Sequence, residues 1–228
     1  MFIKKNINDF TILFDSSGSI YITELSILLM SDLHIGKSYS CAKNGNFLPP
    51  FEIDETIEKI KSIVDFYNPK KIISLGDSFH EASTLEIIDK IYIKNLNKIF
   101  KEREVIFIDG NHDAELKSKE KIDAIFKDSL KLDNFNFTHI KNSKIIDNLF
   151  EFSGHFHPKF SQKYNGVYYN YKCFVLGNNF CILPSFGTYT GGLDISSNEL
   201  KKILNGHKIE LIIIGERKII KRRFNDTN

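Results

Sequence analysis

Asp32 with His34, Asp77, the run Gly110-Asn111-His112-Asp113, His139, and His155 with His157 are the residues whose types and spacing could carry chemistry. Five of the seven histidines fall in these clusters. Histidine, carboxylate and one amide oxygen, without cysteine, make a ligand set for borderline-to-hard divalent cations such as manganese, iron or zinc. So many ligands exceed one tetrahedral site and suit two cations that share a bridge. Paired cations about 3.5–4 Å apart clamp both the attacking and the leaving oxygen of a phosphoryl displacement. Asp77 is the natural bridge, because a carboxylate has an oxygen for each cation.

Each cluster follows a segment that must position it. Leu25 to Met30 is a continuous apolar run, as expected of a central strand covered on both faces, and it ends in Ser31-Asp32-Leu33-His34. Lys71 to Leu75 reads as a second strand ending at Gly76-Asp77, and Val105 to Ile108 as a third that stops at Gly110. Between them, Asp54 to Tyr67 places Ile57, Ile60, Ile63 and Val64 at helical spacing, with Asn68-Pro69 as the stop. Thr84 to Phe100 predicts one amphipathic helix carrying Leu85, Ile88, Ile91, Tyr92, Leu96 and Ile99 on a stripe. Strand, helix, strand, helix, strand indicates a parallel α/β core whose polar clusters converge at the carboxyl ends of the strands.

Upstream, Thr11 to Phe14 and Ile20 to Thr23 flank a turn-rich loop and read as a hairpin. Tyr39 to Pro50 reads as an irregular loop, and Lys119 to Phe126 as a short helix. From Asn134 onward the chain reads as short strands: Phe137 to Ile140, Phe150 to Phe152, Tyr171 to Leu176, Phe180 to Leu183, Ile209 to Ile214 and Lys218 to Arg222. His139 falls within the first, and Gly154-His155-Phe156-His157 follows the second. These strands are expected to form a second sheet of the same domain.

At 228 residues, with 42% hydrophobic and 26% charged residues, the chain is expected to be one domain, 1–228, with a core that needs no disulfide. A net charge of +2 argues against a strong field for nucleic acid or membrane without excluding nucleic acid. Cys41, Cys173 and Cys181 make no pairable framework and no C-x-x-C motif, which fits reduced thiols in a cytosol. No apolar run reaches the length of a bilayer span, and no signal-peptide region opens the chain, so the expectation is a cytoplasmic protein without membrane attachment.

The five motifs D-x-H, G-D, G-N-H-D, a lone His and G-H-x-H, in that order from about Leu25 to His157, resemble the calcineurin-like metallophosphoesterases. Asp32 to Lys37, Gly76-Asp77-Ser78-Phe79-His80, Gly154 to Pro158 and Leu183-Pro184-Ser185-Phe186-Gly187 are similar to the ICC-like phosphoesterase subfamily. That subfamily includes the predicted ligase-associated DNA damage response endonucleases. The resemblance implies an α/β fold, a four-layer α-β-β-α sandwich of two mixed sheets. It implies two divalent metal ions, manganese first, with iron or zinc as alternatives. Asp32, His34 and His157 would hold one metal, Asp77 would bridge, and Asn111, His139 and His155 would complete the other. His112 would act as general acid, with Asp113 hydrogen bonding the far nitrogen of its ring. The nucleophile would be a hydroxide made available by cations that lower the pKa of a bound water. The implied substrate is a phosphodiester, with DNA as the leading candidate.

Plainer readings compete at several positions. Asn111 and Asp113 are also common turn formers after Gly. The alternation of His155 and His157 places both on one face if they lie on a strand. His139, a lone histidine in an apolar run, has a satisfied core histidine as its rival. Gly36-Lys37-Ser38 is no phosphate loop, because Ser31 stands where the motif wants its first glycine. Lys37 is either a substrate contact or a solvated loop lysine. His80 has no vacant ligand role and is held as a substrate contact at the rim. The basic run Lys218, Lys221, Arg222 and Arg223 reads as a solvated terminal segment. Two other functions stay open: hydrolysis of a small nucleotide or other phosphoester, and an inactive metallophosphoesterase fold that serves as a binding module.

Overall fold

The structure, a computed structural model, describes residues 1–43, 45–46, 48–49, 51–113, 115–142 and 148–224. The first sheet is built from β1 (Phe2–Ile7), β2 (Phe10–Asp15), β3 (Ile20–Ile22), β4 (Ile27–Met30), β5 (Lys71–Leu75), β6 (Glu104–Ile108) and β7 (Ile125–Lys127), in that spatial order. β1 to β4 form an antiparallel meander and β4 to β7 run parallel. The second sheet draws on β8 (Leu130–Leu132), β9 (Phe135–Phe137), β10 (Phe150–Ser153), β12 (Val167–Leu176), β13 (Phe180–Ile182), β14 (Ile209–Ile214) and β15 (Ile219–Phe224). Its order is β15-β14-β12-β13-β10-β9-β8, and β11 (Lys159–Tyr164) pairs with the outer half of β12. The first sheet therefore ends at Lys127 and the second begins at Leu130, so the chain completes one sheet before starting the other.

Alternation along the strands sorts the apolar side chains into three layers of core. Leu28, Met30, Ile72, Val105 and Phe107 face α2 (Glu52–Tyr67) and α4 (Lys90–Phe100), where Ile57, Ile60 and Leu96 meet them. Leu29, Ile73 and Ile106 point the other way, against Phe135, Phe137, Phe152 and Phe174 of the second sheet. The rings of Phe137 and Phe152 stack there at 5.8 Å. Val175, Ile182, Leu211 and Ile213 face outward onto Leu200 and Leu204 of α5 (Asn198–Leu204). Helix, sheet, sheet, helix is the expected four-layer architecture. Among the described residues, no helix is long and apolar enough to cross a membrane.

Several local expectations are corrected. The helix expected over Thr84 to Phe100 is two helices, α3 (Thr84–Ile87) and α4, because Ile88 takes an extended ψ of 152° and is buried. Lys119 to Phe126 is one short 3-10 turn, Lys119–Lys121, followed by β7, which pairs parallel with β6. Tyr39 to Lys43 lies in α1 (Lys37–Lys43) and not in a loop, while Asn44, Phe47 and Pro50 of that stretch lie outside the described residues. His139 stands two residues beyond β9 instead of inside a strand. His155 and His157 are likewise in the loop after β10, so strand alternation is not what pairs them.

Candidate metal centre

Parallel strands of both sheets end at the same rim. β4 delivers Asp32 and His34, β5 delivers Asp77, and β6 delivers Asn111, His112 and Asp113. From the second sheet, β9 delivers His139 and β10 delivers His155 and His157. Backbone bonds lock these loops together: Asp32 N–H donates to Gly76 O at 3.1 Å, His34 N–H to Asp77 O at 2.9 Å, and Gly154 N–H to His139 O at 2.9 Å. Asp32, His34, Asp77, His155 and His157 all take positive φ, between 45° and 71°. Non-glycine residues hold that conformation at a cost of about 1–3 kcal/mol each, and only where their surroundings over-determine it. The close approach is also built in by Gly110, where a Cβ would sit 2.2 Å from Asp77 N and 2.3 Å from its Oδ1.

Among the described residues the polar side chains gather into two adjoining triads, Asp32-His34-His157 and Asp77-His139-His155, with a third group, His34-Asp77-His112, overlapping both. In the first, His157 Nε2 lies 3.0 Å from Asp32 Oδ1 and 3.4 Å from His34 Nε2. In the second, His139 Nε2 lies 3.4 Å from Asp77 Oδ2 and 3.1 Å from His155 Nδ1. Asp77 Oδ2 is also 3.9 Å from His34 Nε2, so its carboxylate stands between the triads. The first two triads each take ligands from both sheets, while His34, Asp77 and His112 all come from the first. Asn111 and His112 are exposed at the mouth. Asn111 and His139 border a polar cleft of about 480 Å³ that also involves Asn136 and Thr138.

Electrostatics sharpen the fit to cations. Burial drags His34 down to about 3 despite the Asp32 carboxylate beside it, and burial followed by the neighbouring His139 lowers His155. Both rings are therefore neutral and offer a lone pair. Burial alone would raise the Asp77 carboxyl, but hydrogen bonding and charge from His139, with the His112 N–H at 3.0 Å, hold it far below the usual carboxylate range. His139 is the diagnostic case. Its Nδ1 lies 2.9 Å from the Leu75 carbonyl, so that nitrogen carries the hydrogen and Nε2 presents its lone pair to Asp77 and His155. Two lone pairs cannot face each other at this distance without a proton or a cation between them. A proton meets that need: burial opposes it, but the Asp77 and Asp32 carboxylates and the Leu75 carbonyl together raise the pKa of His139. A divalent cation would use the same electron pairs, with the Leu75 carbonyl fixing the ring behind it.

Three of the expected site residues make contacts that their expected roles did not include. Asp113 is fully buried, but its carboxylate does not serve His112: Oδ2 accepts the Ser78 N–H at 2.9 Å and Oδ1 the Phe79 N–H at 3.0 Å. It braces the loop that follows Asp77. His80 points inward, its Nδ1 3.2 Å from His34 Nδ1 and its ring stacked on His112 with centroids 5.4 Å apart. Burial, then the neighbouring His112, brings His80 down to about 4, so it is neutral and can accept the Nδ1 hydrogen of His34. Lys37 donates to the Tyr189 carbonyl at 2.9 Å, tying the start of α1 to the loop after Gly187.

Two structural groups support the site in ways the sequence did not assign. The Ser185–Thr190 loop lies under the D-x-H segment, with Phe186 N–H donating to Ser31 O at 2.7 Å and Gly187 N–H to Asp32 O at 3.2 Å. Lys172 secures it from below, donating to Ser185 O at 2.7 Å and Gly187 O at 3.1 Å. The β11–β12 hairpin beside His157 was also missed, although Asn165-Gly166 between Tyr164 and Val167 is a strong turn signal.

A family model described as calcineurin-like phosphoesterase matches residues 25–215. Among solved structures, the chain is similar to the nuclease MPE of Pseudomonas putida, with 22% identity and a TM-score of 0.73 over 92% of this chain and 96% of that one. It is also similar to Yfce, a phosphoesterase from E. coli, with 14% identity and a TM-score of 0.44 over 87% of this chain and 99% of that one. No curated protein matches the chain.

Proposed function

The chain belongs to the calcineurin-like phosphoesterase family of metal-dependent hydrolases, and we propose that it is a two-metal phosphodiesterase acting on nucleic acid, of the kind used in DNA repair. The observation that carries this reading is the pair of adjoining triads with the Asp77 carboxylate between them. Asp32, His34 and His157 would hold one cation and Asn111, His139 and His155 the other, with Asp77 shared. Two divalent cations there supply Lewis acidity to phosphoryl oxygens and a nucleophile at neutral pH. Imidazole and carboxylate ligands without thiolate suit manganese, iron or zinc.

His112 would be the group that moves a proton. It is exposed at the mouth, its ring held against His34 and His80 at centroid distances of 5.4 Å. From there it would protonate the leaving oxygen of a diester. The nucleic-acid reading is supported by likeness to a protein described as a nuclease. The competing substrate is a small phosphoester.

Metal analysis on the purified protein should find two cations per chain at saturation. A panel of single-stranded DNA, duplex DNA, a bis-aryl phosphate and a mono-aryl phosphate then reads the substrate class. Turnover of the monoester alone would sink the nuclease reading. His112→Ala should lower kcat by about 10²–10⁴ while metal content is kept; undiminished hydrolysis would remove His112 as the acid.

A further inference from the structure

The β11–β12 hairpin begins two residues after His157 and turns at Asn165 and Gly166, both with positive φ. Its base is fastened by Lys159 N–H to Leu193 O at 2.8 Å and by Ser161 N–H to the Asp194 carboxylate at 3.0 Å. Beyond that base, residues 162–170 are all exposed, with Tyr168 at 66% and Tyr164 at 64%. Residues 159–172 contain three lysines, four tyrosines and no acidic residue.

Register divides these side chains between two faces. Lys159 pairs with Lys172, Ser161 with Asn170 and Lys163 with Tyr168 on one face. Phe160 with Tyr171, Gln162 with Tyr169 and Tyr164 with Val167 occupy the other. The first face looks toward the metal centre. Lys172 on it grips Gly187 O, and Gly187 N–H in turn holds Asp32 O. A Cβ at Gly192 would lie 2.3 Å from His157 O and 2.9 Å from Lys159 Cε, so the Lys159 stem runs beside the His157 backbone. Four residues farther out, roughly 13 Å at strand rise, Lys163 sits over the Tyr168 ring at 5.4 Å.

We propose that the Lys159, Lys163 and Tyr168 face is a binding arm for an unpaired nucleic-acid strand leading into the metal centre. Tyr168 stacks on a base, and Lys159 and Lys163 meet phosphates. The inference rests on the nucleic-acid reading above and narrows it to single strands. Beyond the Asp194 carboxylate at its base, a cationic hairpin with no acidic residue of its own complements a phosphate backbone. An exposed aromatic ring with a lysine against it is the arrangement that holds single strands with little sequence preference. In a duplex the neighbouring base pairs already cover the π-faces that Tyr168 would stack on.

The test uses full-length protein and a fluorescent oligothymidylate of a dozen nucleotides, read by anisotropy and by cleavage kinetics. Tyr168→Ala and Lys163→Ala should each weaken binding about tenfold and raise KM for the oligonucleotide. Tyr169→Ala, on the opposite face, should behave as wild type, and a duplex of equal length should not distinguish Tyr168→Ala from wild type. Equal affinity of wild type and both arm variants overturns the arm, and with cleavage intact it leaves the phosphodiesterase reading standing and the hairpin open to a protein partner. Failure of the wild type to bind the strand also overturns it. Strand binding that depends on Tyr168 without cleavage supports the arm and removes the nuclease.

Discussion

Asp113 offers the sharpest separation between a catalytic and an architectural carboxylate. If it oriented His112, replacing it would lower kcat and leave the fold intact. Its oxygens instead accept the Ser78 and Phe79 amides at 2.9 and 3.0 Å in a fully buried position. Asp113→Ala leaves two buried N–H groups without acceptors, at about 1–3 kcal/mol each. A combined loss of about 4 kcal/mol corresponds to a fall in Tm of about 8–16 °C for a chain of this size. Asp113→Asn keeps one acceptor and turns an amide hydrogen toward the other N–H, so its loss should be about half as large. Burial pushes the Asp113 carboxyl up to about 6, against the pull of the Phe79 and Ser78 amides. Between pH 3.8 and 6 the folded chain holds a proton that the unfolded chain has released, so this group's contribution to stability falls as pH rises through that window. Above it the carboxylate is ionised in both states. Thermal melts at pH 7.5 therefore read the hydrogen bonds alone. A wild-type Tm for Asp113→Ala, with activity lost, would refute the bracing role and return the residue to His112.

The other predictions concern the supports of the same site. His80→Ala removes the acceptor behind His34 Nδ1 and should weaken metal affinity about 10–100-fold by calorimetric titration, with His80→Gln recovering part of it; unchanged affinity in His80→Ala would sink this role. A Cβ at Gly187 would lie 2.0 Å from Leu33 O, so Gly187→Ala should displace the D-x-H segment and lower both Tm and metal affinity; a variant matching wild type in both would contradict it. Burial, then repulsion from Lys172, brings Lys59 down to about 7, while its ammonium donates to Phe186 O at 2.8 Å. From pH 7 to 10.5 the unfolded chain holds a proton that the folded chain lacks, so stability rises with pH across that window, by at most about 1.4 kcal/mol per pH unit. Denaturant unfolding at pH 7 and 9 should show that rise in wild type and a flatter response in Lys59→Met.

What the sequence made legible was whatever local pattern controls. β4, β5 and β6 are apolar runs because both faces are covered, and each is ended by the polar residues that form the rim. α2 announces itself by its apolar spacing and its Asn68-Pro69 stop. Most of the departures have a different cause. The apolar stripe from Leu85 to Ile99 continues through Ile88, so periodicity cannot reveal that the chain turns extended there. Phe126 fits a helical stripe equally well, and only the open edge of β6 makes a strand of Ile125–Lys127. Ser197, whose hydroxyl caps α5 by accepting the Leu200 N–H, was a local signal that was overlooked. The partners of Asp113 and His80 lie 34 or more residues away in the chain, and no local pattern encodes which loop a carboxylate will brace.

The order in which the chain builds its sheets bears on assembly. Everything through Lys127 belongs to the first sheet and its helices, and the strands from Leu130 onward form the second. A cut at Asp128–Ser129 would leave one fragment with Asp32, His34, Asp77, Asn111 and His112, and another with His139, His155 and His157. The first fragment keeps the His34-Asp77-His112 group, but both triads that span the sheets are split. Re-association of the two and capture of metal would then be one linked equilibrium, each strengthening the other. Intact, the cations would act as rivets across the seam between the sheets.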